Sequence, residues 1–249
     1  MKKFLSIIIV GVFICNLFVS SAMALDIGQN EVWDPEHKVV YEDVDVDWYK
    51  EAKDFVLKET LMTRIKVRDD HTMQGSVWLT TYRNFFGEKT ITRAEVAAIM
   101  SRYDWCKDSL DIYTYKRSTC QAFADVPDGK WMTPAVQWAA DNGIVDGVGG
   151  DSFAPNRTIT REEFATIMYR YTEFKNVERD ISADISSYPD GGEVSAWAKD
   201  AMAWAVGEGL ISGKPGGLLA PQDTITRAEV ALIVYRYNNN VLPHRDNKK

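Results

Sequence analysis

The sequence predicts an all-α fold made of three helix–loop–helix repeats. Two observations carry that expectation. Thr92-Arg93-Ala94-Glu95-Val96 recurs as Thr160-Arg161-Glu162-Glu163-Phe164 and as Thr226-Arg227-Ala228-Glu229-Val230, at spacings of 68 and 66 residues. A short signal at near-equal spacing marks an internal repeat. Each copy also reads as a helix start. Thr92, Thr160 and Thr226 are N-caps, and Glu95, Glu163 and Glu229 stand three residues on, where a carboxylate reaches back to the cap's own N–H. Ile91, Ile159 and Ile225 precede the caps and can staple to Val96, Phe164 and Val230.

The arginine in each copy is unusual. Arg93, Arg161 and Arg227 take the first helical position, where the macrodipole disfavours a cation. One reading is an ion pair with a neighbouring repeat. The other is an anion site, with a forked guanidinium beside free helix-start N–H groups.

The elements follow in order. Lys2 and Lys3, the apolar run Phe4–Val19 and Ala22-Met23-Ala24 predict a cleaved export signal over 1–24. Its removal takes two lysines and no acids from the 249-residue chain, so the net charge goes from −7 to −9. That opposes nucleic-acid binding, and no later stretch is apolar enough to span a bilayer. Residues 25–40 read as a leader of low definition. Tyr41-Glu42-Asp43-Val44 opens repeat one (41–105), Phe123-Ala124-Asp125-Val126 opens repeat two (123–172), and Ile181-Ser182-Ala183-Asp184-Ile185 opens repeat three, placed at 173–238. Residues 106–122 form a linker and 239–249 a tail. Cys106 and Cys120 lie in the linker and are either a disulfide or two free thiols.

Each repeat has a first helix. In repeat two Thr133 is expected to cap it, Pro134 to suit its first turn and Gly143 to stop it; in repeat three Ser195 caps and Gly209 stops. Trp131 and Trp138 correspond to Trp197 and Trp204, whereas repeat one has Trp48 and Phe55. Glycine-rich loops follow, from Gly143 and Gly209, with Gly147 and Gly213 at matching places. The second helices carry apolar stripes: Val96, Ile99, Met100 and Tyr103; Phe164, Ile167, Met168 and Tyr171; Val230, Ile233, Val234 and Tyr237. Repeat one diverges. Thr60 and Arg64 replace loop glycines, Phe86-Gly87-Glu88 stands for a Phe-x-Pro element, and an insertion lies around 66–84. That insertion either fills a local gap or touches a partner.

These motifs resemble S-layer homology domains: Phe-x-Asp-Val, Trp-Ala, Gly-Ile-Ile-x-Gly, Phe-x-Pro and Ile-Thr-Arg-Ala-Glu. The resemblance covers about residues 41–238. It implies three repeats packed as a pseudo-threefold helical unit that anchors to the wall of a Gram-positive-type bacterium. It implies a secondary cell-wall polysaccharide, bearing a pyruvate ketal on an amino sugar, as the partner in grooves between repeats. On this chain Arg93, Arg161 and Arg227 would hold the ketal carboxylate. Asp43, Asp125 and Asp184, with backbone near Gly147 and Gly213, would contact hydroxyls or shape the groove. Trp48, Trp131 and Trp197 would wall it.

Other classes fit less well. Gly150-Asp151-Ser152-Phe153-Ala154 nearly spells a nucleophile elbow, but the last glycine is missing and Pro155 follows. His37, His71 and His244 are scattered and form no metal pair, and Asp43, Asp45 and Asp47 meet Trp48 where a calcium loop needs glycine. The sequence therefore implies no enzyme, cofactor or metal. A lattice or adhesive subunit, with other surface proteins as partners, is the second reading, and a wall-glycan hydrolase the third.

Overall fold

The computed structural model describes residues 31–34, 39–42, 47–62, 65–73, 76–108, 119–180 and 183–242. The expected export segment, Asp43, Arg64 and most of the tail lie outside them. The chain divides into two compact units, one of residues 1–45 and 57–85, the other of 46–56 and 86–249.

The first unit holds what the sequence reading did not place. Strands β1 (Glu31–Asp34), β2 (Val39–Glu42), β3 (Ile65–Met73) and β4 (Ser76–Asn84) form one sheet in the order β1-β2-β4-β3. β3 and β4 pair antiparallel from Ile65↔Asn84 to Met73↔Ser76, and β2 lies parallel to β4 through Val39↔Thr81 and Val40↔Tyr82. The insertion and part of the expected leader therefore meet in one sheet. Val67, Val77, Trp78, Thr80, Thr81 and Tyr82 are residue types that suit a pleated surface.

The second unit carries the helical repeats, and its architecture is all-α as expected. Its helices are α1 (Lys50–Lys58, whose last two residues fall in the first unit), α2 (Arg93–Asp108), α3 (Thr133–Asp141), α4 (Arg161–Phe174), α5 (Lys199–Gly207) and α6 (Arg227–Arg236). The second helices α2, α4 and α6 start around one point. There the N–H of Ile91 donates to the carbonyl of Ile225 (3.3 Å), Ile225 to Ile159 (3.0 Å) and Ile159 to Ile91 (3.1 Å). The three donors and three acceptors close a ring, and all three side chains are fully buried.

Every orphan donor at these helix starts is satisfied. The cap N–H of Thr92, Thr160 and Thr226 donates to the Glu three residues on, at 2.8, 2.9 and 2.8 Å, and the Thr hydroxyl accepts from that Glu's N–H. The next two N–H groups reach the adjacent repeat. Arg93 and Ala94 donate to the carbonyls of Arg157 and Pro155; Arg161 and Glu162 to Asp223 and Pro221; Arg227 and Ala228 to Lys89 and Gly87. Thus each helix start is also a joint between repeats.

The first helices close the same ring. α3 packs on α2, α5 on α4, and the short turn Asp47–Tyr49 ahead of α1 packs on α6. Phe55 on α1 meets Tyr235, with ring centroids 5.6 Å apart. About three turns beyond the isoleucines, Tyr103, Tyr171 and Tyr237 form a buried triangle with centroids 5.9, 5.9 and 6.2 Å apart. Asp104, also buried, accepts from Tyr171 and pairs with Lys175 at 2.9 Å.

Several local expectations change. Thr133 is not a cap: it is the first residue of α3, and its hydroxyl donates to the carbonyl of Pro127 and accepts from the N–H of Lys130. Ser195 makes no cap bond either; its N–H and hydroxyl both donate to Glu162. In each case a partner other than the helix's own N–H groups, the Pro127–Lys130 loop for Thr133 and Glu162 on α4 for Ser195, takes the polar side chain. Gly143 and Gly209 do end their helices in the left-handed region (φ 66° and 67°), and Thr60 holds the same conformation in repeat one at 57°. Phe86, Ala154 and Ala220 are left-handed as well (φ 50°, 55° and 50°), so Phe85 is the counterpart of Phe153, one residue earlier than the sequence suggested. Cys120 is a free thiol, and the side chain of Cys106 lies outside the described residues.

Replacing Ile159 by Ala should cost about 2–5 kcal/mol in urea unfolding, and Ile91→Ala and Ile225→Ala similar amounts. A near-neutral result at one of the three would show that the ring is not a shared support.

Candidate functional site

The arginines at the helix starts do not find a free anion site at the helix N-terminus. The N–H groups there are bonded to the neighbouring repeat, and the guanidinium groups are buried beside them. Arg161 donates through Nε to the carbonyl of Leu219 (2.9 Å), through Nη2 to that of Ser212 (3.2 Å) and through Nη1 to Glu229 (2.7 Å). Arg93 repeats the first two contacts, through Nε to Phe153 (2.7 Å) and Nη2 to Asp146 (2.7 Å), and lies over the Phe153 ring at 4.6 Å. Its Nη1 differs: Glu163 stands 3.6 Å away, and no hydrogen bond is made among the described residues. Arg227 is equally buried, with Glu95 the carboxylate that acts on it. The ion-pair reading thus describes Arg161 fully and Arg93 in part. Burial holds Arg93 below its usual pKa; Glu163 opposes that shift and Arg157 adds to it.

A cleft of about 580 Å³ reaches Arg93 from solvent. All three repeats contribute to its lining: Arg93 from the first, the loop Val145–Val148 and Arg157, Glu163 and Arg170 from the second, Trp197 from the third. Trp197 is 58% exposed, as is Trp131, and Trp48 is 49% exposed, while Trp138 and Trp204 are buried. The two tryptophans of a repeat therefore divide the work: one anchors the core and one faces out. Gly147 lines the cleft because nothing larger fits; a Cβ there would lie 2.7 Å from the Ser152 carbonyl and 3.1 Å from the Phe123 ring. Gly213 is less constrained, its nearest contact being 3.4 Å.

Sequence reasoning missed two cleft residues, Arg157 and Arg170. Arg170 carried a readable signal: Arg102-Tyr103, Arg170-Tyr171 and Arg236-Tyr237 repeat at the same offsets as the helix starts. Arg170 pairs with Asp146 and Arg157 with Glu163. Arg157 had none, because its counterparts are Lys89 and Asp223.

The aspartates shape the loops. Asp125 accepts from the N–H groups of Phe153 (2.7 Å) and Ala154 (2.8 Å) and from the Ser152 hydroxyl (2.7 Å). The counterpart in repeat three is Asp190, which accepts from Leu219 (2.8 Å) and Ala220 (2.7 Å). Asp184 is not that counterpart; it caps a short turn by accepting from Ser186. The strained left-handed Ala154 and Ala220, each costing about 1–3 kcal/mol, are thereby held from one side by their own N–H groups donating to Asp125 and Asp190 and from the other by Arg on the preceding carbonyl. Glu162, overlooked in the sequence, is buried and receives Ser195 and Gln222. Among the described residues no group of three or more His, Cys, Asp or Glu forms a metal site, and no helix is long and apolar enough to cross a membrane.

Burial would raise the Asp190 carboxyl, but the N–H groups of Leu219 and Ala220 and nearby Arg161 hold it below the usual carboxylate range. Its folded pKa is depressed, so its contribution is complete above the unfolded value of about 3.9 and is lost as pH falls through the folded value. Asp190→Asn should cost about 1–3 kcal/mol at pH 7. In melting curves from pH 7 to 2, the gap to wild type should stay constant to about pH 5 and shrink below about pH 4. A gap that widens in acid would contradict the assignment.

Two segments of the chain, 122–165 and 187–231, match the model of the S-layer homology domain. The chain is 32% identical over 200 residues to an amylopullulanase of Thermoanaerobacterium thermosulfurigenes, covering 80% of this chain and 10% of that protein. It is 32% identical over 161 residues to the surface-layer 125 kDa protein of Lysinibacillus sphaericus, covering 64% of this chain and 12% of that protein. It is 28% identical over 152 residues to a cellulosome-anchoring protein of Acetivibrio thermocellus, covering 61% of this chain and 33% of that protein. The chain thus spans a third or less of these relatives, which share with it a segment and differ widely by name. The match to the S-layer homology domain covers those two segments, both of them in the helical unit.

Proposed function

We propose that this chain is a secreted, non-catalytic wall-binding protein that holds secondary cell-wall polysaccharide at the surface of a Gram-positive-type bacterium. The observation that carries it is the solvent-open cleft in which the buried Arg93 and the arginines 157 and 170 face an exposed Trp197. Sugars offer apolar ring faces to aromatic walls and hydroxyls to backbone groups. An acidic substituent, such as the carboxylate of a pyruvate ketal, meets the guanidinium groups in a charge-assisted bond worth about 1.5–3 kcal/mol. The relatives support the setting: one is named for the surface layer and one for anchoring. One cleft binds modestly, and repeated engagement along a polymer supplies retention.

The site residues divide by role in this reading. Arg93 and Trp197 touch the ligand, with backbone at Gly147. Arg161 and Arg227 chiefly join repeats, Asp125 shapes the loop beneath the cleft, and Trp48 and Trp131 offer further sugar-facing rings. The parts of the three repeats that lie in the helical unit, 46–56 with 86–105, 123–172 and 173–238, form the binding unit.

The test is sedimentation with purified wall sacculi. Arg170→Ala combined with Trp197→Ala touches only cleft-facing side chains and should weaken binding at least tenfold, or about 1.4 kcal/mol, with the circular dichroism unchanged. Acid removal of the ketal from the sacculi should have a similar effect. Undiminished sedimentation in both arms would refute the role. Release of sugars from the sacculi would favour a hydrolase, and sheets formed without wall would favour a lattice subunit.

A further inference from the structure

The same capping glutamate behaves differently in repeats two and three. In both, Oε2 closes the capping box by accepting from the cap N–H. The spare oxygen, Oε1, is free to choose. In repeat three it takes Nη1 of Arg161 at 2.7 Å. In repeat two it takes Arg157 instead, and Nη1 of Arg93 is left 3.6 Å away. The positions of Arg157 and Asp223 are equivalent, since their carbonyls accept from the first helical N–H of Arg93 and Arg161 respectively. An aspartate cannot draw a carboxylate to itself. Asp223 is engaged by Lys214 at 3.1 Å, whose ammonium also stands 3.9 Å from Glu229.

Net charge does not separate the two places. Arg93, Arg157 and Arg170 face Asp146 and Glu163 in one; Arg161, Lys214 and Arg236 accompany Asp223 and Glu229 in the other. The difference is which N–H groups remain uncommitted. Arg161 has each of its three nitrogens bonded within the protein, and Arg236 bonds Leu210 and Ser212. A carboxylate arriving at Nη1 of Arg161 meets Glu229 already bonded there, at 2.7 Å.

We propose that Arg157 is the positioning residue that makes the Arg93 cleft the acid-binding one: by holding Glu163 it keeps Nη1 of Arg93 open to a ligand carboxylate, while Asp223 lets Glu229 occupy the same nitrogen of Arg161. This rests on the reading that the cleft takes an acidic sugar. The repeats are therefore alike in fold and unlike in binding, and the residue that decides lies outside every repeated motif.

Two measurements test this. In the unliganded protein, 15N-arginine NMR should show the Nη1 protons of Arg93 exchanging at least tenfold faster with water than those of Arg161. Arg157→Asp should slow them, and Arg157→Lys should not. Equal exchange at Arg93 and Arg161 in the wild type overturns the inference, whatever the protein binds. Titration calorimetry with the methyl glycoside of a pyruvate-ketal N-acetylamino sugar gives the binding side. Arg157→Asp should lose at least tenfold in affinity, Arg157→Lys should restore it, and Lys214→Val with Asp223→Arg should add one binding site. An unchanged Arg157→Asp, or no added site in the double variant, overturns the inference. If the wild type takes up none of this probe, the acidic-sugar reading fails, and the NMR comparison still decides the role of Arg157.

Discussion

The three isoleucine peptides that hydrogen-bond in a ring hold the helical unit together. Ile91, Ile159 and Ile225 each give one N–H and accept one in turn. No repeat satisfies its own isoleucine peptide, because each donates to the isoleucine of another repeat, 66 to 134 residues away in sequence. Buried backbone groups left unpaired are costly, so the three helix starts form together or not at all. From that point the second helices run out to the tyrosine triangle, and each first helix fills the gap beside the preceding repeat.

The same constraint explains a cation at a helix N-terminus. The macrodipole penalty there is a few tenths to one kcal/mol. Arg93 and Arg161 each offset it with two hydrogen bonds to carbonyls of the next repeat, beside a glutamate that already serves the cap. Those carbonyls belong to loops whose left-handed Ala154 and Ala220 are gripped on the other side by Asp125 and Asp190. Aspartate, loop and arginine form one clamp, used twice among the described residues. In the proposed function, binding draws on what the clamp leaves over: one guanidinium nitrogen, an exposed tryptophan and a glycine at which a side chain has no room.

Repetition fixes the scaffold and leaves the outer positions to vary. Arg157, Asp223 and Lys89 share one backbone role through their carbonyls, so the side chain at this position is under no constraint from the joint. That freedom allows the surroundings of Arg93 and Arg161 to differ without disturbing the fold.

Much of this molecule is written locally. The capping boxes, the helix-ending Gly143 and Gly209, the apolar stripes and the paired tryptophans all follow from contacts within a few residues, and the all-α repeat fold follows from them. The sequence by itself also marks Arg93, Arg161, Asp125, Gly147 and Trp197 as special positions. Tertiary structure alone decides the rest. It turns Thr133 and Ser195 from caps into loop ties, puts Asp190 where Asp184 was expected, and pairs the 66–84 insertion with β2 in a sheet. It commits one arginine wholly to the joint and leaves another with a nitrogen to spare. The physical reason is range: a cap is settled by a bond from i to i+3, whereas the spare oxygen of the capping glutamate chooses between a side chain six residues away and an arginine that folding brings from about 70 residues away.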